Sequence, residues 1–395
     1  MKKIAVLGAS TYNINVYKKL KSEGFYTLAI DGNQFAEAAL FADKFIHVDY
    51  SDIDKLIAVC QEHKIDAIMP INEWGVMPAA KVVTELGLIG NSEKTALLAT
   101  DKGLMRQTWK EHKVAGPDFI VFKTLEELKI GLQKIGFPCV VKPTFSGGGG
   151  RGISVLKSIE DAEWAFEFAL PAVKYGTLIC EEFIEGTELT VETISVDGEV
   201  FILAMSDKEK PELRTRVATS LNYPANISEE QRIIVEETVK KAVLALGIIS
   251  GMAHSEVILN GTEVKMVETG ARGGGSHIFP LIIEAVSGIN TPVVFAHLLT
   301  GKKPNLSNIQ RNGVVYRFLN PPHGILKEVK GVEEVRNWSG ILDVGVTKKN
   351  GEEVGNLKNS LERAGFVVAS GKDRNTAQQL ANKAELHIKF DIDPI

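Results

Sequence analysis

Two acidic residues, Glu256 and Glu268, flank the turn-forming pair Asn260-Gly261. Carboxylates projecting from adjacent strands are what a hard cation such as Mg²⁺ takes as ligands while keeping phosphate oxygens as co-ligands. Geometry sets a condition on this. A strict two-residue Asn260-Gly261 loop pairs 259 with 262 and sends the two side chains to opposite faces. A three-residue loop that includes Thr262, with a bulge, puts both on one face. We expect the odd-length loop. The plain alternative is a surface hairpin that carries charge.

The loop Ser146-Gly147-Gly148-Gly149-Gly150-Arg151-Gly152 is the most informative local feature. So many glycines cost conformational entropy that a mere turn does not require, so something must approach that backbone closely. Freely aimed amide N–H groups can wrap phosphate oxygens as a flap over a nucleotide triphosphate. It is not a Walker loop, because no Lys-Ser/Thr follows and the next segment reads as strand. Glycine also marks ordinary hairpin tips. Lys142, at the end of the strand feeding this loop, suits a cation facing a phosphate, or a solvated strand-end lysine. Lys102, near a helix start, is a second candidate of the same kind. Glu181, Glu182, Glu185 and Glu188 lie in an apolar, strand-like context. They read equally as a charged edge strand or as a nucleotide site offering backbone groups to adenine and a carboxylate to ribose. Arg272, among Gly270, Gly273, Gly274 and Gly275, could stabilise charge on a transferring phosphoryl group or a tetrahedral intermediate. His277 follows it, and an isolated histidine is more often structural.

The elements that must position these residues follow from pattern. Apolar runs at Ile4–Leu7, Thr27–Ile30, Lys44–Val48 and Ala67–Pro70 alternate with helix-length segments, which implies parallel βαβ units. Asp101 caps a helix over 102–112, and Thr124 with Glu127 forms a capping-box signature. Strand-like 139–143 and 153–156 enclose the glycine loop. A helix at 161–169 and strands at 177–183, 189–196 and 199–205 follow, then a polar loop over 210–222. Ser228 and Gln231 open a long helix to Leu246. From about 312 the chain is strand-rich, with a helix near 376–386 and a last strand.

With 45 Lys plus Arg against 50 Asp plus Glu, the formal charge is −5, which argues against a general nucleic-acid surface. No apolar stretch approaches the roughly 18 residues of a membrane span. The run Ile4–Leu7 stops at Gly8 and reads as a first strand rather than a leader. Cys60, Cys139 and Cys180 lie far apart with no C-x-x-C pair, which fits a reducing, cytoplasmic compartment. At 395 residues, two or three domains are expected.

Taken in order, Asp101-Lys102, Val140-Val141-Lys142-Pro143, the loop Gly147–Gly152, Glu181-Glu182-Phe183-Ile184-Glu185-Gly186-Thr187-Glu188, Ser255-Glu256, and Val267-Glu268 with Arg272 after it resemble the ATP-grasp superfamily. The likeness spans nearly the whole chain. It implies an α/β protein with a pre-ATP-grasp, doubly wound domain over 1–100. A two-lobed ATP-grasp α+β fold follows over 101–310, with the small lobe and its glycine flap at about 115–185 and the large lobe at about 186–310. A C-terminal α+β cap covers 311–395. By the same resemblance, Lys102 and Lys142 contact the phosphates of ATP under flap residues Gly148, Gly149 and Gly150. The segment at Glu181, Glu182 and Ile184 reads adenine, Glu188 holds ribose, and Glu256 and Glu268 bind Mg²⁺ or Mn²⁺. The family's usual third metal ligand, an Asn two positions after the second Glu, is Gly270 here.

Such enzymes let a carboxylate attack the γ-phosphate and an amine displace phosphate from the resulting acyl phosphate. Arg272 would stabilise the charge that develops. The stretch 268–289 looks most like carboxylate–amine ligases of the amino-acid ligase type, with Arg214, Arg216 and His277 as substrate contacts. The partners implied are a small-molecule carboxylate and amine, with no nucleic acid or membrane and with a homodimer left open. The competing readings are a carboxyphosphate-forming or purine-pathway ATP-grasp enzyme, and a nucleotide-binding protein without turnover. An NAD-dependent oxidoreductase is disfavoured because no G-x-G-x-x-G follows Leu7.

Overall fold

The computed structural model describes the chain apart from Ser146, Gly148, Gly149, Lys174, residues 211–216, Lys358 and the side chain of Tyr175. The expectations placed on Gly148, Gly149, Arg214 and Arg216 therefore lie outside the described residues.

The first sheet is parallel, in the spatial order Lys44–His47, Tyr26–Asp31, Lys3–Leu7, Ala67–Pro70. Its central strand is fully buried from Ile4 to Leu7, as a strand covered on both faces by crossover helices must be. At its first turn the polar groups are spent internally. Ala9 N donates to Asp31 (2.7 Å), and Asn72 Nδ2 donates to Leu7 O (3.1 Å). The turn is scaffold.

A second, antiparallel sheet has the order Phe119–Phe122, Tyr175–Glu182, Cys139–Phe145, Ser154–Leu156. Helices Leu125–Ile135, with the Thr124/Glu127 capping box formed, and Ala162–Ala169 pack on it around Leu128, Cys139, Val141, Ala165 and Cys180. The acidic strand Tyr175–Glu182 is central, so the charged-edge reading of that segment does not hold. Lys142 lies inside its strand, which continues to Phe145, and is only 5 % exposed. The solvated strand-end reading fails too.

The largest sheet has eight strands, in the order Glu263–Gly270, Gly251–Asn260, Thr187–Val196, Glu199–Glu209, Ser220–Tyr223, Gly313–Leu319, Gly365–Gly371, Ile341–Val346. Part of the expected polar loop is thus a buried strand, Ser220–Tyr223, which bridges the middle of the chain to its C-terminal part. Its polar side chains satisfy one another, since Ser220 donates to Asn222 (3.0 Å) and Asn222 to Glu209 (3.1 Å). Polar residues at buried positions hid this strand from a hydrophobicity reading. Helix Glu229–Ala245, with its Ser228/Gln231 capping box, buries Val235, Val239, Ala242 and Val243 against the other end of the sheet. A small sheet of Glu353–Val354, Gly324–Lys330 and Lys389–Pro394 completes the C-terminal part, with helix Arg374–His387 laid on the strands at 313–319 and 365–371. Among the described residues no single helix is long and apolar enough to cross a membrane. Cys60, Cys139 and Cys180 are free and buried.

Candidate active site

The hairpin carrying the two carboxylates closes through Gly261-Thr262, with Asn260 paired to Glu263. The expected three-residue loop is therefore corrected to a two-residue loop placed one residue later. That register alone would put Glu256 and Glu268 on opposite faces. A bulge at Val267 restores the parity, because Glu256 pairs with Glu268 while Val257 already pairs with Met266. Directly opposed residues have Cβ atoms roughly 5 Å apart, a spacing two carboxylates tolerate only with positive charge nearby. The bulge is itself tied down, since Met266 N donates to Ala115 O (2.9 Å) and Arg106 donates to Val267 O.

The charge comes from lysines of a helix and of one strand with the residue just past its end. Lys102, in the first turn of helix Lys102–Glu111, donates to Glu268 (3.0 Å). Lys208, from strand Glu199–Glu209 of the same sheet, holds both Glu188 (2.7 Å) and Glu256. Lys210 closes on the second oxygen of Glu188. Burial pushes Glu256 and Glu268 up, yet Lys208 and His254 bring the first down to about 2, and Lys102, Lys142 and Arg272 do the same for the second. Both are ionised at neutral pH.

Glu181 is the buried counter-ion of the second sheet. Its Oε2 lies 2.6 Å from Lys142 Nζ, and its Oε1 lies 2.8 Å from Arg106 Nη2, in ion-pair range without hydrogen-bond alignment. Burial, together with the Arg106 and Lys102 charges, outweighs Glu181 and leaves Lys142 below the usual lysine value. Glu182 points the other way, to Lys265 (2.9 Å).

Arg272 is held by the first domain. Its Nε donates to Glu73 (2.9 Å), which is 7 % exposed on the turn Glu73–Gly75, and its Nη1 donates to Gly273 O (2.9 Å). A Cβ at position 270 would stand 3.0 Å from that same Glu73 carboxylate, so Gly270 leaves room for an acidic side chain from another domain. Gly274 is required for a related reason. Its N–H donates to the fully buried Glu192 (2.9 Å), and any side chain there would meet Glu192 and Ile278. Glu192 also holds His254, the histidine beside Glu256.

Lys102, Lys142, Gly150, Glu181, Glu182, Ile184, Glu188, Glu256, Glu268 and Arg272 line one cleft of about 420 Å³. His277 does not line it. It is 4 % exposed, with Nδ1 3.0 Å from the Tyr316 hydroxyl and Nε2 2.8 Å from Asp343, so it reaches the cleft only through Tyr316. At Gly147 (φ +65°) a Cβ would strike the Trp74 ring at 2.2 Å, so only glycine lets the backbone lie against Trp74 at this position. Sequence reasoning passed over Glu73, Arg106, Glu192, Lys208 and Lys210. Arg106 shares its helix with Lys102 and Glu192 its strand with Glu188, but what they meet, like the partner of Glu73, lies in elements distant in sequence.

Three comparisons bear on this arrangement. Residues 107–287 match the ATP-grasp domain family, residues 317–393 the L-amino acid ligase C-terminal domain 2, and residues 4–82 the PylC-like N-terminal domain. Alanine–anticapsin ligase of Bacillus subtilis is 28 % identical over 278 residues, 64 % of this chain and 58 % of that protein, so the match spans less than two thirds of its length. Formate-dependent phosphoribosylglycinamide formyltransferase of Rhodococcus jostii (strain RHA1) is 30 % identical over 207 residues, 50 % of this chain and 51 % of that one. The crystal structure of an L-amino acid ligase from Bacillus licheniformis superposes with a TM-score of 0.87 over 100 % of this chain and 99 % of that one, at 20 % identity.

Proposed function

The chain belongs to the ATP-grasp superfamily, and from that premise we propose that it is an ATP-dependent carboxylate–amine ligase joining two small molecules, at least one an amino acid, through an acyl phosphate. The observation that carries this reading is the pairing of Glu256 with Glu268 on one face of a cleft that Lys102, Lys142 and Arg272 also line. The L-amino acid ligase match over 317–393 supports the amino-acid substrate class.

The donor set suits a divalent cation. Two carboxylates are opposed across a ladder, ionised, and each already stabilises a positive lysine head, while phosphate oxygens can complete the coordination. Bound there, Mg²⁺ would neutralise phosphate charge and polarise the γ-phosphoryl group. Lys142 and Lys102 add two buried positive charges along the triphosphate, and Glu181 and Arg106 fix where Lys142 can reach. Arg272, oriented by Glu73, meets charge developing on the transferred group and then on the oxyanion of the tetrahedral intermediate, where a guanidinium set in place beforehand does not have to reorganise. Closure of the glycine loop against Trp74 keeps water from the acyl phosphate, which would otherwise hydrolyse.

The test is phosphate release by the purified protein with ATP, Mg²⁺ and the twenty protein amino acids, singly and in pairs. Release that needs two amino acids is expected. Release that needs bicarbonate, or formate with a nucleotide amine, would favour the purine-pathway reading that the formyltransferase similarity raises.

A further inference from the structure

Among the described residues one largely buried cation lining the cleft has no acidic partner. Arg363 follows the turn Ser360–Glu362 and precedes strand Gly365–Gly371. Its guanidinium carbon stacks 3.3 Å from the centroid of the Phe318 ring, and Nη2 donates to Ala218 O (2.8 Å). Its Nε is buried with no hydrogen-bond partner. Other arginines around the large sheet are all paired: Arg272 with Glu73, Arg317 with Glu209, and Arg374 with Asp207. The groups that partly offset burial at Arg363 are the hydroxyls of Tyr316 and Tyr12, and burial still pushes the guanidinium down to about 10.

A buried charge without a partner is costly, and a planar guanidinium with a free N–H edge matches a carboxylate. Phe318 blocks one face of the fork and Ala218 takes one corner, so the remaining edge is where a ligand can bind. Arg363 and Phe318 line the same cleft as Glu256 and Glu268. The reacting carboxylate must meet the γ-phosphate, where Lys102, Lys142 and Arg272 act together on Glu268. Arg363 belongs to a separate, aromatic part of the lining with Tyr316 and Phe318, and none of those charges is among the groups acting on it. We propose that Arg363 binds the carboxylate of the acceptor amino acid, the one that is not activated, and so places its amine toward the acyl phosphate.

This inference rests on the ligase reading, and the test separates the two. Phosphate release is measured for the wild-type protein and Arg363→Gln with each productive amino-acid pair, then with each amino acid replaced in turn by its carboxamide. The donor's carboxamide cannot be activated and gives no turnover in either protein, which identifies the acceptor. Loss of one partner of a buried charged pair predicts a KM for the acceptor raised roughly 10²-fold in Arg363→Gln, with the KM for ATP unchanged. The wild type should penalise the acceptor's carboxamide by a similar factor, and Arg363→Gln should no longer distinguish acid from amide. An unchanged acceptor KM, retained discrimination, or an effect confined to ATP would overturn the proposal. If no pair supports turnover in the wild type, the ligase reading fails by itself. Calorimetric titration of the twenty amino acids into both proteins then decides Arg363, with binding lost in the variant supporting it and equal or absent binding in both refuting it.

Discussion

Two groups of residues lining the cleft solve the problem of buried charge in opposite ways. Around the paired carboxylates, Lys102, Lys142, Lys208 and Lys210 each meet a carboxylate from another element. In the aromatic group, Arg363 rests on Phe318 and a backbone carbonyl. A balanced network holds its geometry before any ligand arrives. An unbalanced cation gains most from the ligand itself, which suits recognition.

The contrast predicts unequal costs. Glu181→Ala strands Lys142 and Arg106 without their counter-ion and should destabilise the fold by about 3–5 kcal/mol, read as a lower urea midpoint at unchanged slope. A loss below about 1 kcal/mol would mean that the network is not balanced as described. Glu256→Gln or Glu268→Gln should lower kcat about 10²–10³-fold with folding retained, measured by phosphate release at saturating ATP. Arg272→Ala should lower kcat on the order of 10²-fold, and unchanged turnover would remove Arg272 from the chemistry. Arg363→Gln should shift stability by less than about 1 kcal/mol, because the lost stacking and the relieved desolvation offset each other.

The charged pair can also be tested with pH. Glu256 and Glu268 have folded values near 2, below the ordinary carboxylate value of 4.5. Their stabilising contribution is therefore complete above about 4.5 and is lost only as pH falls toward 2. Acid unfolding of Glu256→Gln should show a shallower fall across that window than the wild type.

How much of this could be read from the chain varies with the kind of signal. The parallel first sheet, the Thr124/Glu127 and Ser228/Gln231 capping boxes and the paired strands on either side of the glycine loop were legible because each is written in periodicity or in short-range residue patterns. Strand Ser220–Tyr223 was not, since buried polar side chains carry no apolar pattern. The hairpin shows both cases at once. Its two carboxylates and its turn were visible, but the loop was expected one residue too long, and a bulge at Val267, marked by no residue type, decided that they share a face.

The sequence by itself therefore determined which chemical groups are available and the local elements that carry them, because caps, turns and strand alternation are short-range physics. Only the tertiary structure decided which charges meet. Glu73 reaches Arg272 past Gly270, Lys208 bridges Glu188 and Glu256, and Arg363 is left without an acidic partner among the described residues. Coulomb energy depends on distance through space and on the burial around each pair, and neither is written along the chain.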